Sequence, residues 1–379
     1  MSMRVDSVEI RSGSEANESA PAIRMQELLE ARKMPTSEGW IVKFHGLPED
    51  LSAYNASDIF MVDEEPHMLV RIEGKRADQE FTSKLAIYRC SSDGRECWPT
   101  KISNLPELVE GKITQDPAIS YVEGRDGIEG KWVITWVEVT LIDTTDPTKG
   151  RTYKSVSYYG SSLNKLEHLV DSPPETKGLR YVGLLDGRIG ISTRPDIDGE
   201  RKVCFTIADS WADVTTEFLA GAQPVKGLSV EDAWAGVNDM ELLANGDVNL
   251  ALHLGQYVEN GISGNREYHG AHSVLTPQKN NSAGPANARY LKIIAVAKDF
   301  NISIDEAPSK RPDLKDILYT SCVIIARQRG TDATWMGGFR DEHLAGIGIP
   351  DPLDEWRTDN PEFADNPFPQ SAVQQAHAA

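Results

Sequence analysis

Asn55, Asp116, Lys177 and Asn238 stand 61 residues apart, three intervals in a row. Each opens the same local pattern of a polar residue, an apolar run, a turn and a second apolar run. Residues at one position of a repeat fall at equivalent points of equivalent units, so side chains distant in sequence converge. Two amides, a carboxylate and an ammonium brought together would line a concave, charged, sugar-sized pocket. Taken singly, Asn55 and Asp116 read as turn caps; their equivalent placement favours the shared pocket. The Lys-Arg-Pro segment at Lys310 and Arg311 is the nominee of a fifth unit.

The elements that must position these groups are β-hairpins. The paired runs are 55–62 with 67–72, 116–122 with 131–137, 177–184 with 188–193 and 238–243 with 247–254. All are rich in β-branched or aromatic residues, with turn residues near Pro66, Gly124, Gly187 and Gly246 between them. A fifth pair follows at 317–326 and 335–339, and third strands are visible at 83–90, 152–159, 201–207 and 268–275. A long period made of strand pairs predicts an all-β chain, a five-bladed β-propeller with a short N-terminal helical extension. A β-sandwich is the alternative that chance spacing would leave. Polar loops at 259–267 and 277–287 lengthen the step from the fourth unit to the fifth. The expected divisions are an extension over 1–38, a propeller over 39–353 and a polar tail over 354–379 whose last dozen residues are poorly ordered. The segment 40–45 reads as a strand able to complete the last blade and close the ring.

Composition narrows the function classes. The chain has 379 residues, 40% of them hydrophobic, and no apolar run long enough to span a bilayer. A formal net charge of -19 argues against nucleic acid and anionic membranes as partners. No charged-then-apolar leader opens the chain, so a cytoplasmic location is expected. Cys90, Cys97, Cys204 and Cys322 lie scattered in strand patterns, which suits reduced, buried thiols rather than a metal centre.

An ordered set of short motifs adds a resemblance. It comprises Tyr-Asn-Ala-Ser (54–57), Leu-Val-Arg-Ile-Glu-Gly-Lys (69–75), Asp-Pro (116–117), the run from Lys177 to Pro195, Trp-Ala-Gly-Val-Asn-Asp (234–239), Ser-Lys-Arg-Pro-Asp-Leu-Lys-Asp-Ile (309–317) and Gly-Phe-Arg-Asp-Glu (338–342). Over about residues 40–353 the chain resembles the five-bladed β-propeller glycosidase superfamily, and most the branch of β-mannoside phosphorylases and hydrolases, glycoside hydrolase family 130. It is more similar still to an uncharacterised domain-of-unknown-function family of that superfamily.

The resemblance implies roles position by position. Asp116 of the Asp-Pro pair would be the acid that protonates the leaving oxygen, a role suited to a buried carboxyl with a raised pKa. Lys177, Arg194, His253 and Tyr268 fall where that branch grips phosphate, although Arg and Lys suit a uronate or a sugar hydroxyl equally. The Arg that usually follows Asp-Pro is Ala118 here, which speaks against phosphorolysis, and Asp239 stands where the nearer family tends to have Glu.

Glycoside cleavage needs a second carboxylate, for which Asp239, Glu73 and Asp341 are candidates. Glu73 alternates with Arg71, so an ion pair holding the pocket together is an equal alternative. Asn55, Arg71, Arg180, Asn238, Lys310 and Arg311 are candidate substrate contacts, and Trp234 is the best stacking platform for a sugar face. His253 ends an apolar run, as a satisfied core histidine or as a hydroxyl or phosphate contact. The sequence thus points to cleavage of a glycosidic bond in an oligosaccharide, hydrolysis ahead of phosphorolysis, with no cofactor and inorganic phosphate as the one co-substrate to consider. A catalytically silent sugar-binding propeller and a protein-interaction ring are the competing readings.

Overall fold

The computed structural model describes residues 23–369 apart from 76–81, 101, 103–104, 125–128, 143–149, 258–265, 278–285, 309–316, 326–327, 329 and 341. Within it the strands form five antiparallel blades, each with its first strand innermost. Blade 1 runs outward from Leu51–Tyr54 and Ile59–Val62 through Glu65–Gly74 and Lys84–Cys90 to Glu96–Pro99. Blade 2 holds Ile113–Val122, Lys131–Leu141, Arg151–Gly160 and Glu167–Asp171, and blade 3 holds Lys177–Gly183, Ile189–Arg194, Cys204–Ala208 and Gln223–Pro224. Blade 4 is built of Ala233–Leu242, Val248–Tyr257, Arg266–Thr276 and Asn287–Ala295. Blade 5 has Leu318–Ile324, Ala333–Phe339 and His343–Ile349, and takes its fourth strand from Trp40–Ile41.

That last pairing closes the ring. Trp40 pairs with Gly346 and Ile41 with Ala345, while two residues later Lys43–Phe44 joins the outer edge of blade 1. One short segment therefore clasps the first blade to the last, and gives the last blade the fourth strand its own sequence lacks. Gly346 makes the clasp possible: a Cβ there would lie 2.4 Å from the Trp40 indole.

Apolar faces of neighbouring blades pack against each other in separate clusters. Leu69, Ile134 and Trp136 fill the seam between blades 1 and 2, Val133, Tyr181 and Ile191 the next, and Val182, Val237 and Leu250 the third. Trp335 and Phe300 sit between blades 4 and 5, and Met68, Met336 and Leu344 at the closing seam. Trp136 and Trp335 are fully buried, as packing residues should be. The helix Met25–Ala31 buries Met25 and Leu28 against the blade 3 and 4 seam. Beyond 353 the chain still packs: Asp354–Asp359 is a helix that buries Trp356 and Arg357, the latter donating to Asp351. The final ten residues lie outside the described ones, as do most of the two polar loops. Among the described residues no helix is long and apolar enough to cross a membrane.

Candidate active site

The repeat seen in the sequence has a structural cause. In blades 2 to 5 the innermost strand slips register once, between Gln115 and Ala118, Lys177 and Arg180, Val237 and Asp239, and Thr320 and Cys322. In blade 1 the same strand breaks after Tyr54, so that Asn55 falls at the interruption. A bulge frees one residue from the ladder and re-aims side chains beside it. Asn55 and Asp116 take left-handed backbone there, φ 49° each, which Asn and Asp tolerate better than other side chains. In blade 3 that place is taken by Gly178, φ 71°, and Lys177 precedes it. In blade 5 the equivalent slip is at Thr320–Cys322, and the nominees Lys310 and Arg311, like Asp341, lie outside the described residues.

These slips open on one pocket at the centre of the ring, a cavity of about 130 Å³. Asn55, Arg71, Asp116, Lys177, Arg180, Arg194, Trp234, Asn238, His253 and Tyr268 all line it. Asp116 is the hub. Its Oδ1 accepts from the Asn55 amide at 2.8 Å and its Oδ2 lies 3.4 Å from Lys177 Nζ. On the far wall His253 Nδ1 donates to Asn238 Oδ1 at 2.6 Å, and its Nε2 accepts from an Arg194 NH1 at 3.0 Å. Only a neutral imidazole can donate at one nitrogen and accept at the other. Burial and the Arg194 charge agree, holding His253 down to about 3. Arg180 donates its Nε–H to the Asn238 carbonyl at 2.5 Å and an NH1 hydrogen to the Leu179 carbonyl at 2.8 Å.

The pocket is strongly cationic. Arg71, Arg151, Lys177, Arg180, Arg194, Arg201 and Arg266 line it, against Asp116 as the one carboxylate among the described lining residues. Burial pushes the Asp116 carboxyl up, but Lys177, Arg71, Arg194 and the Asn55 amide outweigh it and hold the group below its ordinary 3.8. The raised pKa expected of a resting acid is therefore not what this carboxyl has, because four stabilising neighbours surround it. Two donors add to the polarity: the buried Nε–H of Arg194 and the buried amide nitrogen of Gln115 find no acceptor among the described residues. Buried donors normally have partners, and both of these residues line the pocket.

Two of the proposed second carboxylates stand elsewhere. Glu73 is 1% exposed and does not line the pocket; it accepts from Tyr54 Oη at 2.6 Å and is ion-paired with Arg71. It anchors two lining side chains rather than facing substrate. Asp239 follows the bulge residue Asn238 and is absent from the lining. Burial and the neighbouring Asp58 carboxylate raise its pKa well above the usual value.

A family model described as "Protein of unknown function (DUF1861)" matches residues 29–355. The chain belongs to that family. This DUF1861 protein matches no curated protein sequence. Its fold is shared with a mannose phosphorylase from Leishmania mexicana, with 21% identity over 87% of this chain and 92% of that one and a TM-score of 0.70. A GDP-Man-dependent mannosyltransferase from the same organism gives 22% identity, 87% and 94% coverage and a TM-score of 0.69. A β-1,2-mannobiose phosphorylase from Listeria innocua gives 12%, 83% and 94%, and 0.53. At these identities the likeness is one of fold.

Tyr54, Gln115, Arg151, Arg201, Arg266 and Tyr319 are pocket residues of the DUF1861 protein that sequence reasoning missed. Arg151 and Arg266 open the third strands of blades 2 and 4, and Arg201 lies just before that of blade 3. A basic residue at that point in three successive blades was the available signal. Gly236 is as necessary as any side chain. A Cβ there would lie 2.3 Å from His253 and 2.4 Å from Arg194, so Gly236→Ala must displace both. Overpacking of that kind costs about 1–3 kcal/mol, so Gly236→Ala should lower the unfolding free energy by about that amount in a urea titration.

Proposed function

We propose that this protein transfers a glycosyl unit between a sugar and inorganic phosphate, as a glycoside phosphorylase or as the same enzyme running in the synthetic direction. The observation that carries the reading is the presence of seven cationic side chains and a single carboxylate among the described residues that line the pocket. That is more positive charge than a neutral sugar needs, and guanidinium groups match phosphate oxygens in geometry and charge. Hydrolysis is less well supported, because a water nucleophile needs a base on the opposite side from the acid. Glu73 is held by Tyr54 and Arg71, and Asp239 does not reach the lining. Phosphate brings its own nucleophilic oxygen and needs no such base. The phosphorylases among the structural neighbours fit this reading, and the absence of Arg after Asp-Pro is offset by the arginines of later strands.

In this reading a phosphate oxygen attacks the anomeric carbon, the glycosidic C–O bond breaks, and Asp116 supplies the proton that the leaving oxygen takes. In the synthetic direction the carboxylate removes the acceptor hydroxyl's proton while the glycosyl–phosphate bond breaks. The resting ionised state suits the second role as it stands; for the first, bound phosphate must offset the cations so that Asp116 can take up a proton.

The test is incubation with manno- and gluco-oligosaccharides with and without phosphate, and of the corresponding sugar 1-phosphates with sugar acceptors. Product that requires phosphate supports the reading, and equal release without it restores hydrolysis. A pH prediction follows from Asp116. Its depressed pKa means the base is present above, and lost below, a point under 3.8 in the free enzyme. Because kcat/KM reports the free enzyme, synthesis should show its Asp116 acid limb only below that value. His253, neutral above about 3, should add no step near neutrality.

A further inference from the structure

We propose that blade 4 carries a second sugar-binding site, an aromatic wall leading out of the pocket that holds the units of a glycan beyond the one being transferred. The inference rests on the glycosyl-transfer reading above and adds the class of substrate: a neutral chain rather than a lone disaccharide.

Strand alternation builds the wall. His253, Gly255 and Tyr257 lie on one face of Val248–Tyr257, because every second residue does. Across the ladder Gly236 pairs with His253, Trp234 and Tyr268 with Gly255, and Arg266 with Tyr257. The row therefore climbs from the buried pocket residue His253, 8% exposed, to Tyr257, 68% exposed. At a rise of about 3.4 Å per residue it extends some ~13 Å. Gly255 lets the indole of Trp234 lie across the strand, since a Cβ there would meet it at 2.4 Å. The Trp234 ring centroid is 5.0 Å from Tyr257 and 5.6 Å from Tyr268, and Tyr268 is 4.7 Å from Tyr319.

Four rings in continuous contact run from the pocket to the surface. Packing alone would bury the last of them, but Tyr257 is mostly exposed and is not part of the pocket lining. An isolated exposed tyrosine means little; one that continues a pocket's aromatic wall extends the pocket. The division of chemistry selects the occupant. Most of the pocket's cations surround Asp116, whereas the wall offers ring faces and hydroxyl tips with Arg266 beside them, a surface for apolar sugar faces with hydroxyl edges.

The experiment titrates manno- and gluco-oligosaccharides of two, three and four units into wild type and Tyr257→Ala at fixed phosphate, by calorimetry and tryptophan fluorescence. Wild type should bind the longer chains of one series about two- to tenfold more tightly per stacked ring. Tyr257→Ala should lose that gain while its phosphate affinity and its affinity for the two-unit sugar stay unchanged. Equal affinity at all lengths in wild type, or a full length dependence in Tyr257→Ala, would overturn the wall. Phosphate binding with no sugar of either series bound would overturn the glycosyl-transfer reading beneath it.

Discussion

Asp116→Asn should abolish nearly all glycosyl transfer while leaving phosphate binding intact or tighter. The amide keeps the shape that Asn55 and Lys177 contact but can neither take nor deliver a proton, and that step is worth roughly 10²–10⁴ in rate. Removing the negative charge also leaves Lys177, Arg71 and Arg194 without the carboxylate that attracts them, so the pocket becomes more positive toward an anion. The two effects pull in opposite directions, which separates chemistry from structural damage. A variant that merely disturbed the fold would lose both turnover and phosphate affinity. Single-turnover rates beside calorimetric phosphate titrations make the comparison, and near-normal turnover in Asp116→Asn would move the proton donor to another residue.

Arg194→Ala should produce the largest loss of anion affinity of any single change in the pocket. Its guanidinium bridges His253 and the Ala235 carbonyl, and its buried Nε–H is still without an acceptor. Truncating one partner of a buried, hydrogen-bonded charge pair costs about 2–5 kcal/mol, so phosphate affinity should fall roughly 30- to 4,000-fold. Arg194→Lys should recover little, because an ammonium cannot hold His253 and present a planar fork to an anion together. Lys177→Ala removes a cation too, but a point charge rather than a planar fork, so its loss should be smaller for phosphate than that of Arg194→Ala. Unchanged phosphate affinity in Arg194→Ala would show that the anion binds at the Lys177 side of the pocket instead.

The inner residues of the pocket were legible because the innermost strands of blades 1 to 4 repeat at constant spacing and each is interrupted, by a break or a bulge, at the same place. Asn55, Asp116, Lys177 and Asn238 converge for that reason. The fifth blade escaped the rule because the chain before Leu318 is longer, and its bulge carries Ser321, which no charge made conspicuous. Arg151, Arg201 and Arg266 escaped because third strands follow hairpin loops of unequal length, which destroys regular spacing without destroying structural equivalence. The placement of Glu73 and Asp239 behind the lining was not legible for a different reason. Sequence shows that a carboxylate is near the right strand, but whether it meets substrate, an arginine or another carboxylate depends on the far side of the ring.

The clasp at Trp40–Ile41 also sets an order of events in time. Its partners, Ala345 and Gly346, lie about three hundred residues later, so a chain growing on a ribosome cannot shut the circle until Gly346 has been made. At about 5–20 residues per second the clasp waits roughly 15 to 60 seconds, during which blade 1 and its neighbours stand as an open arc. An arc has free edges and an unfilled seam, the condition in which β-structures join the wrong neighbour. The central pocket draws on strands from all five blades, so its wall is incomplete in the nascent protein until the circle shuts.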